Sequence, residues 1–216
     1  MSSRHRDQRR RPEANTSKIR LSKSLAWLLR HNAESEGFTF LEGGYLPVED
    51  VLRHRRFTGF TVTDVEEVVR ENDKQRFAIM AGDDGKLLIR ANQGHSISNV
   101  TVEMEEITAP DEATKVIHGT NFKAWSEILK TGLSRMKRNH IHFAAGEPGS
   151  EGVISGMRGS AQVFIYIDLH RAMEDGIKFF RSANNVILSP GDENGVIMPR
   201  YFKQVKNVKT NQALSY

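Results

Sequence analysis

The sequence predicts an α+β protein of two lobes, the first built of helices with one hairpin and the second around a mainly antiparallel sheet. Three observations carry this prediction. Apolar residues recur at helical spacing between residues 18 and 70, and two short apolar runs flank a glycine-containing turn between residues 77 and 89. Several short β-type runs with few helices follow residue 114. No internal repeat is visible in the sequence.

The first lobe opens with an amphipathic helix that is expected to end near Arg30-His31. Its apolar positions are Leu21, Leu25, Leu28 and Leu29. Pro47 is expected to open a second helix, because proline suits the first helical turn. Thr63 and Glu66 resemble a capping box for a third helix. The apolar positions of that helix are Val65, Val68 and Val69.

A hairpin follows the third helix, with strands around Phe77–Met80 and Leu87–Ile89 and a turn at Gly82–Gly85. Three helices followed by a hairpin is the element order of a winged-helix domain. That fold often binds nucleic acid, but a fold alone does not assign a role.

The second lobe is predicted to begin with a strand that leads into His118-Gly119-Thr120. A helix with Trp125 on its apolar face follows, and Gly132 ends that helix. Further strands are predicted at residues 141–143, 163–167, 185–188 and 196–198. The predicted organisation is a disordered basic tail (1–16), a winged-helix lobe (17–98), a linker (99–113), the second lobe (114–207) and a C-terminal tail (208–216).

The composition excludes several classes of protein. The 216 residues contain no cysteine, which excludes disulfides and thiolate metal sites. No apolar run approaches the roughly 20 residues that cross a bilayer, and no signal peptide is visible, so we expect an intracellular protein, cytoplasmic or nuclear and not secreted. The pI is about 9.4. Much of this basicity comes from five arginines in the first eleven residues, so charge is weak evidence for binding nucleic acid.

Arginines and histidines recur at three places in the chain. Arg30-His31 closes the first helix, where both side chains could simply complement the negative helix end. Asp73–Arg76 is a charged run at the mouth of the hairpin, which by itself is typical of a solvated turn. Arg90–Ser96 is a polar run around Gly94 that follows an apolar strand, either a plain loop or a functional one.

The second lobe adds two candidate anion sites. His118-Gly119-Thr120 is expected between a strand and a helix, where free backbone N–H groups favour an anion or a sugar hydroxyl. Arg138, His140 and His142 would share one face if they form a strand. Two imidazoles could bind zinc, but no carboxylate or cysteine sits at ligand spacing, which disfavours a metal. Residues 180–185 form a turn or one wall of the same pocket.

As a set, these segments resemble the RNA 2′-phosphotransferase family, also called tRNA 2′-phosphotransferase or KptA. The matching strings occur in family order between residues 18 and 206: LSKSLAWLLRH, DKQRF, IRANQGHS, VIHGT, RNHIHF, ISGMR and FFRSANNVILSPG. The resemblance implies an N-terminal winged-helix lobe and a C-terminal lobe of the ADP-ribosyltransferase fold that binds NAD. One departure is Asn185, where the family usually has glycine; if that position has positive φ, asparagine should be tolerated at small cost.

The resemblance also implies roles for residues of this chain. The implied catalytic residues are Arg30, His31, Arg76 and Arg138. NAD is expected to contact His118, Gly119, Thr120, His140, His142, Arg158, Ser182 and Asn184. RNA phosphates are expected to contact Lys74, Gln93, His95 and Ser96. The expected partners are NAD, which is consumed as a co-substrate, and an RNA with an internal 2′-phosphate. Within the family, this RNA is expected to be tRNA from splicing. The protein is expected to be a monomer that binds no metal and no membrane.

The implied reaction has two steps. The RNA 2′-phosphate attacks C1″ of the nicotinamide ribose, and the O2″ hydroxyl then attacks the phosphate, giving RNA with a 2′-hydroxyl and ADP-ribose 1″,2″-cyclic phosphate. Two alternatives stay open: an ADP-ribosyltransferase that caps terminal phosphates of RNA or DNA, and a non-catalytic winged-helix protein that binds RNA.

Overall fold

The computed structural model of the protein describes residues 4–150, 153, 157 and 159–216, with side chains described from residue 15 onward. The chain divides into two compact units. Unit 1 comprises Met1–Asn92 and Asn99–Thr101, and unit 2 comprises Gln93–Ser98 and Val102–Tyr216. The division therefore falls at Asn92, whereas the sequence predicts a boundary at residue 98. In the described helices, no stretch combines the length and apolar composition needed to cross a membrane.

Unit 1 contains three helices and a three-stranded antiparallel sheet in which β3 is the central strand. Its elements are α1 (Arg4–Trp27), a π-helical turn (Leu28–Asn32), β1 (Leu46–Pro47), α2 (Val48–Arg53), α3 (Val62–Arg70), β2 (Phe77–Ala81) and β3 (Leu87–Ala91). Short 3₁₀ turns span Glu42–Gly44 and Arg55–Phe57.

The predicted apolar faces form the core of unit 1. The four leucines of the first helix, Leu21, Leu25, Leu28 and Leu29, are fully buried. Val65 and Val68 of α3 are also buried, and β2 and β3 form the predicted hairpin. The helical periodicity and the hairpin are thus confirmed, because burial of one apolar stripe is what both patterns encode.

Two features of unit 1 differ from expectation. The capping box is formed by Thr61 and Asp64, so the prediction of Thr63 and Glu66 was wrong; Asp64 N donates to Thr61 Oγ1 (3.3 Å) and Thr61 N donates to Asp64 Oδ2 (2.8 Å). Helix α1 begins at Arg4, within the predicted disordered tail. Arginine and glutamine are good helix formers, so a basic segment can extend a helix that is anchored by buried leucines further along.

Unit 2 is built around a seven-stranded sheet with the order β12-β8-β5-β7-β10-β9-β4, in which all pairs are antiparallel. A short antiparallel pair, β6 with β11, lies outside this sheet. The elements are β4 (Met104–Ile107), β5 (Ile117–Thr120), α4 (Phe122–Thr131), β6 (Leu133–Ser134), β7 (Ile141–Ala144), β8 (Val163–Ile167), α5 (Leu169–Glu174), β9 (Phe179–Ser182), β10 (Val186–Ser189), β11 (Val196–Ile197) and β12 (Phe202–Asn207).

One face of this sheet carries the main core of unit 2. Ile141 and Phe143 of β7 pack into the core with Ile165 of β8 and Phe179 of β9. Because side chains alternate along a strand, His142 between them points to the opposite face. The chain is therefore a mixed α/β protein with mainly antiparallel sheets, as predicted.

Two segments of unit 2 hold more structure than the sequence predicts. The expected linker contains β4, an edge strand whose exposed Glu105 and Glu106 hide its apolar pattern. The expected C-terminal tail folds back on the sheet: Leu214 N donates to Val205 O (2.9 Å), and Tyr216 Oη donates to Phe202 O (3.1 Å).

Candidate active site

Arg30 and His31 lie in the π-helical turn that ends the first helix. The Nε and Nη2 atoms of Arg30 are buried, whereas the side chain of His31 is exposed. Asn32 Nδ2 donates to the carbonyl oxygen of Trp27 (2.9 Å), a side-chain bond that links the end of the turn to the last residue of α1. The turn thereby presents an arginine and a histidine from a fixed backbone, at a kind of helix irregularity that is often found at functional sites.

Arg76 lies directly before β2, in a tight turn that follows α3. Its backbone N donates to Asn72 Oδ1 (3.2 Å), and its Nη1 contacts the same oxygen at 3.4 Å. Lys74 is half-buried two residues earlier. Unit 1 therefore carries Arg30, His31, Lys74 and Arg76, and unit 2 carries the other described candidates.

Arg138 is exposed and lies in a turn before β7. Its backbone N donates to Arg135 O (3.1 Å), and Arg135 Nη1 donates to Arg138 O (3.0 Å). Arg138, His140 and His142 would share one face only if all three lay in a strand, and this condition is not met, because β7 begins at Ile141, where the strand was predicted. Only His142 is a strand residue, so the three side chains do not share one strand face.

The segment Gln93–Ser98 is hydrogen-bonded to Asn139, the residue that follows Arg138. Asn139 N donates to His95 O (2.9 Å), and Asn139 Nδ2 donates to Ile97 O (2.9 Å). Gln93 and His95 are buried and Ser96 is half-buried. The structure thus brings the segment that holds three of the expected RNA-phosphate residues next to the turn of Arg138, and two of the three side chains are buried.

His118 lies beside the same arginine. Its Nδ1 is 3.0 Å from the carbonyl oxygen of His142, and its ring meets Phe143 edge-on at 6.0 Å. Since a carbonyl only accepts, Nδ1 carries the proton and Nε2 is the acceptor. Burial lowers the pKa of His118, the bond to His142 O opposes this shift, and the positive charge of Arg138 lowers the pKa further. The imidazole is therefore neutral near pH 7.

The expected position of residues 118–120 between a strand and a helix was wrong, because these residues lie inside β5 and pair with β8. That they bind an anion or a sugar hydroxyl stays a prediction. The helix start at α4 is capped instead by side chains: Ala124 N donates to Asn121 Oδ1 (2.8 Å) and Phe122 N to Gln162 Oε1 (3.2 Å). Gly119 is needed for close packing, since a Cβ there would lie 2.8 Å from Met157 Cβ.

His140, like His118, lies near an aromatic ring and an arginine. Its ring meets Phe180 edge-on at 6.2 Å. Burial lowers the pKa of His140, and the charge of Arg135 lowers it further. The charges that shift both histidines thus come from arginines, so the surroundings favour anions over cations.

Ser182 and Asn184 are buried in the hairpin between β9 and β10. Ser182 Oγ donates to Asn184 Oδ1 (2.9 Å), so both side chains bind within their own hairpin. Asn185 has φ +56°, which confirms the positive φ suspected for this position. Arg158 lies outside the described residues. Among the residues that are described, no three His, Asp or Glu side chains are grouped to hold a metal.

Two supporting residues were missed by the sequence analysis. Arg135 and Asn139 hold the turn of Arg138. Neither was singled out, because the neighbouring arginine and histidines have more distinctive chemistry. An asparagine within a short polar run before a strand is typical of a turn that uses its side chain for backbone hydrogen bonds, and this was the available signal.

A pH dependence of stability follows from His118. Its pKa is lowered from 6.5 in the folded state. Below about pH 6.5 the unfolded state therefore binds more protons, so the free energy of unfolding should fall as pH drops toward the folded pKa. In His118→Asn, which keeps a donor for His142 O, the fall between about pH 7.5 and about pH 5.5 should be smaller. Urea unfolding followed by Trp125 fluorescence checks this; equal falls in both proteins would contradict it.

The left-handed backbone of Asn185 gives a second stability prediction. Asn185 Oδ1 accepts from Arg181 Nη1, and both alanine and glycine lose this bond. Their difference therefore reports the backbone alone, and Asn185→Ala should be less stable than Asn185→Gly by about 1 kcal/mol. Urea denaturation of the two variants measures the difference, and equal midpoints would contradict it.

Comparison with known proteins places this geometry in a family. The family described as RNA 2′-phosphotransferase, Tpt1 / KptA family, matches residues 16–191. The tRNA 2′-phosphotransferase 1 of Danio rerio is 47% identical over 194 residues, covering 88% of this chain and 86% of that protein. The tRNA 2′-phosphotransferase of Saccharomyces cerevisiae is 42% identical over 179 residues, covering 79% and 78% respectively.

A more distant bacterial relative also matches most of the chain. The probable RNA 2′-phosphotransferase of Rhizobium rhizogenes is 33% identical over 171 residues, covering 78% of this chain and 86% of that protein. The family match spans every candidate residue from Arg30 to Asn184. The chain therefore belongs to the RNA 2′-phosphotransferase, Tpt1 / KptA family.

Proposed function

We propose that this protein is an NAD-dependent transferase that removes an internal 2′-phosphate from RNA, with splice-junction tRNA as the expected substrate. Family membership supports the reaction. The structural observation that carries the proposal is that His118 lies near Arg138 and His140 near Arg135: burial lowers the pKa of both histidines, and the charges of the two arginines lower it further. A site of this charge suits a phosphate and a dinucleotide better than a cation.

The first step joins the RNA to the ribose of NAD. A 2′-phosphate oxygen forms the bond to C1″ as the bond from C1″ to nicotinamide breaks, and the electron pair leaves with nicotinamide. A phosphate monoester, with a second pKa of about 6, is largely dianionic at neutral pH and needs no base. What this nucleophile needs is to be held in place, so positioning by Arg30, Arg76 and Arg138 supplies the catalysis.

The second step releases the RNA. The O2″ hydroxyl gives up its proton and attacks phosphorus while the bond from phosphorus to the RNA 2′-oxygen breaks. The departing 2′-oxygen takes a proton, so no net proton is gained or lost in the step. Negative charge grows on the phosphate, and fixed guanidinium groups stabilise that charge. His31 is exposed, and histidine is the side chain that most often acts as a general acid in enzymes, so it is suited to protonate the leaving 2′-oxygen.

Unit 2 would bind NAD. We assign this role to His118, Gly119, Thr120, His140, His142, Arg158, Ser182 and Asn184. A neutral His118 offers Nε2 as a hydrogen-bond acceptor for a hydroxyl, and Gly119 allows Met157 to pack closely on the sheet. For Ser182 and Asn184 we propose a smaller part, because their side chains bind each other. Lys74, Gln93, His95 and Ser96 are proposed to act near RNA phosphates, with the buried Gln93 and His95 shaping the segment rather than reaching solvent.

The two units support a finer assignment of fold. We propose a winged-helix arrangement for unit 1, supported by three helices followed by an antiparallel hairpin. For unit 2 we propose an ADP-ribosyltransferase-like arrangement, supported by the seven-stranded antiparallel sheet. The protein is proposed to act as a monomer inside the cell.

An RNA oligonucleotide with one labelled internal 2′-phosphate tests the proposal. Loss of the label from the RNA should require both the protein and NAD. An otherwise identical oligonucleotide with only a terminal phosphate is the matched control and should keep its phosphate. Stable ADP-ribosylation of the terminal phosphate would instead identify a capping enzyme, and RNA binding without any NAD-dependent change would identify a binding module.

A further inference from the structure

Asn92 is a buried polar side chain behind Arg76 that the proposed reaction does not use. It is 6% exposed. Its Nδ2 donates to the carbonyl oxygen of Gln75 at 2.7 Å, and its backbone N donates to the carbonyl oxygen of Arg76 at 2.9 Å. Two hydrogen bonds from one residue therefore hold consecutive carbonyl groups of the Arg76 turn.

Asn72 holds the same turn from its other side. Its carbonyl oxygen accepts from Gln75 N (2.7 Å), and its Oδ1 accepts from Arg76 N (3.2 Å). Together the two asparagines bind the N–H and the carbonyl of both Gln75 and Arg76. The backbone from which the Arg76 side chain extends is thus fully hydrogen-bonded.

The conformation of this turn is one that needs such support. Gln75 has φ +43°, a left-handed value that is unfavourable for a residue with a side chain. Such conformations persist where the surroundings over-determine them, and they cluster at functional sites. Without Asn92 Nδ2, the Gln75 carbonyl would lose its partner, and the peptide would be free to relax toward an ordinary conformation.

We propose that Asn92 is a positioning residue, which fixes the backbone of Gln75–Arg76 so that the Arg76 guanidinium is held ready for the RNA phosphate. This inference rests on the proposed function. Asn92 acts through Arg76, since its amide is bound to the Gln75 carbonyl inside unit 1. The side-chain type fits this role, because a neutral amide donates to a carbonyl, whereas an ionised carboxylate of the same shape does not.

A double-mutant cycle under single-turnover conditions tests the inference. Asn92→Ala should lower the rate of 2′-phosphate removal about 10- to 100-fold, because small displacements of a positioning group cost factors of this size. The KM for NAD should change less than about two-fold. In an Arg76→Ala background, the same Asn92→Ala substitution should change the remaining rate less than about two-fold, since its effect passes through Arg76.

Thr61→Ala is the matched stability control. It removes a capping hydrogen bond of α3 in the same unit, and should lower the melting temperature without changing the rate. If Asn92→Ala does not fold, Asn92→Leu fills the buried site without a hydrogen-bond donor and takes its place in the cycle.

The possible results distinguish failure of the positioning role of Asn92 from failure of the proposed role of Arg76. If Arg76→Ala is strongly impaired but Asn92→Ala lowers the rate equally in both backgrounds, Asn92 has only a structural role and this inference is overturned. If Arg76→Ala retains wild-type turnover, the proposed role of Arg76 fails and the positioning role of Asn92 falls with it.

Discussion

Replacing Arg138 with alanine is expected to lower the rate of 2′-phosphate removal by about 10²- to 10³-fold, the usual cost of losing one preorganised donor to a developing negative charge. The side chain is exposed, and its turn is held by backbone contacts and by Arg135. The fold should therefore survive the substitution. The measurement is single-turnover conversion of an RNA with one internal 2′-phosphate, with circular dichroism to confirm folding.

Two controls sharpen this prediction. Lys137→Ala removes the neighbouring exposed cation and should leave the rate near wild type if position rather than net charge matters. Arg138→Lys keeps the charge but loses the planar fork that binds two phosphate oxygens, so it should restore activity only in part. Wild-type turnover of Arg138→Ala would remove this residue from the reaction.

Replacing His31 with asparagine is expected to trap the reaction after its first step. In the proposed reaction the 2′-phosphate attacks C1″ without a general acid, whereas the second step needs a proton on the departing 2′-oxygen. His31→Asn should therefore accumulate ADP-ribosylated RNA while the final product forms at least about 10²-fold more slowly, which is the lower end of the usual contribution of a general acid. A gel shift of the labelled RNA measures the intermediate.

The matched control is His170→Asn, which makes the same change at an exposed histidine of α5 that pairs with Glu174. It should behave as wild type. Loss of overall rate in His31→Asn without any accumulated intermediate would instead place His31 in the first step, as a phosphate ligand.

Much of the fold could be predicted because its signals are local. Burial of the leucines in the first helix, the hairpin of β2 and β3, and the end of α4 at Gly132 each follow from spacing or from one special residue. The edge strand β4 escaped prediction because its outward glutamates obscure the apolar alternation. The π-helical turn also escaped prediction. Over so few residues, the spacing of the leucines does not distinguish a π-helical turn from an α-helical one.

The candidate site divides in the same way. Side chains with distinctive chemistry, such as Arg76 and Arg138, could be identified from motifs. The backbone that positions them could not, because Gln75 at positive φ and the carbonyl bonds of Asn92 and Asn139 depend on contacts between segments that are distant in sequence. The turn of Arg138 before β7 depends in the same way on Asn139, which binds the carbonyl groups of His95 and Ile97.

We propose that fixed arginines hold an already ionised 2′-phosphate while it attacks NAD. The same arginines then hold the phosphate while it is transferred to the ribose. The most direct test is mass spectrometry of a mixture of the protein, NAD and an RNA that carries one internal 2′-phosphate. We expect three products together: nicotinamide, RNA with a 2′-hydroxyl, and ADP-ribose 1″,2″-cyclic phosphate. Release of inorganic phosphate without nicotinamide, or ADP-ribosylated RNA as the final product, would contradict it.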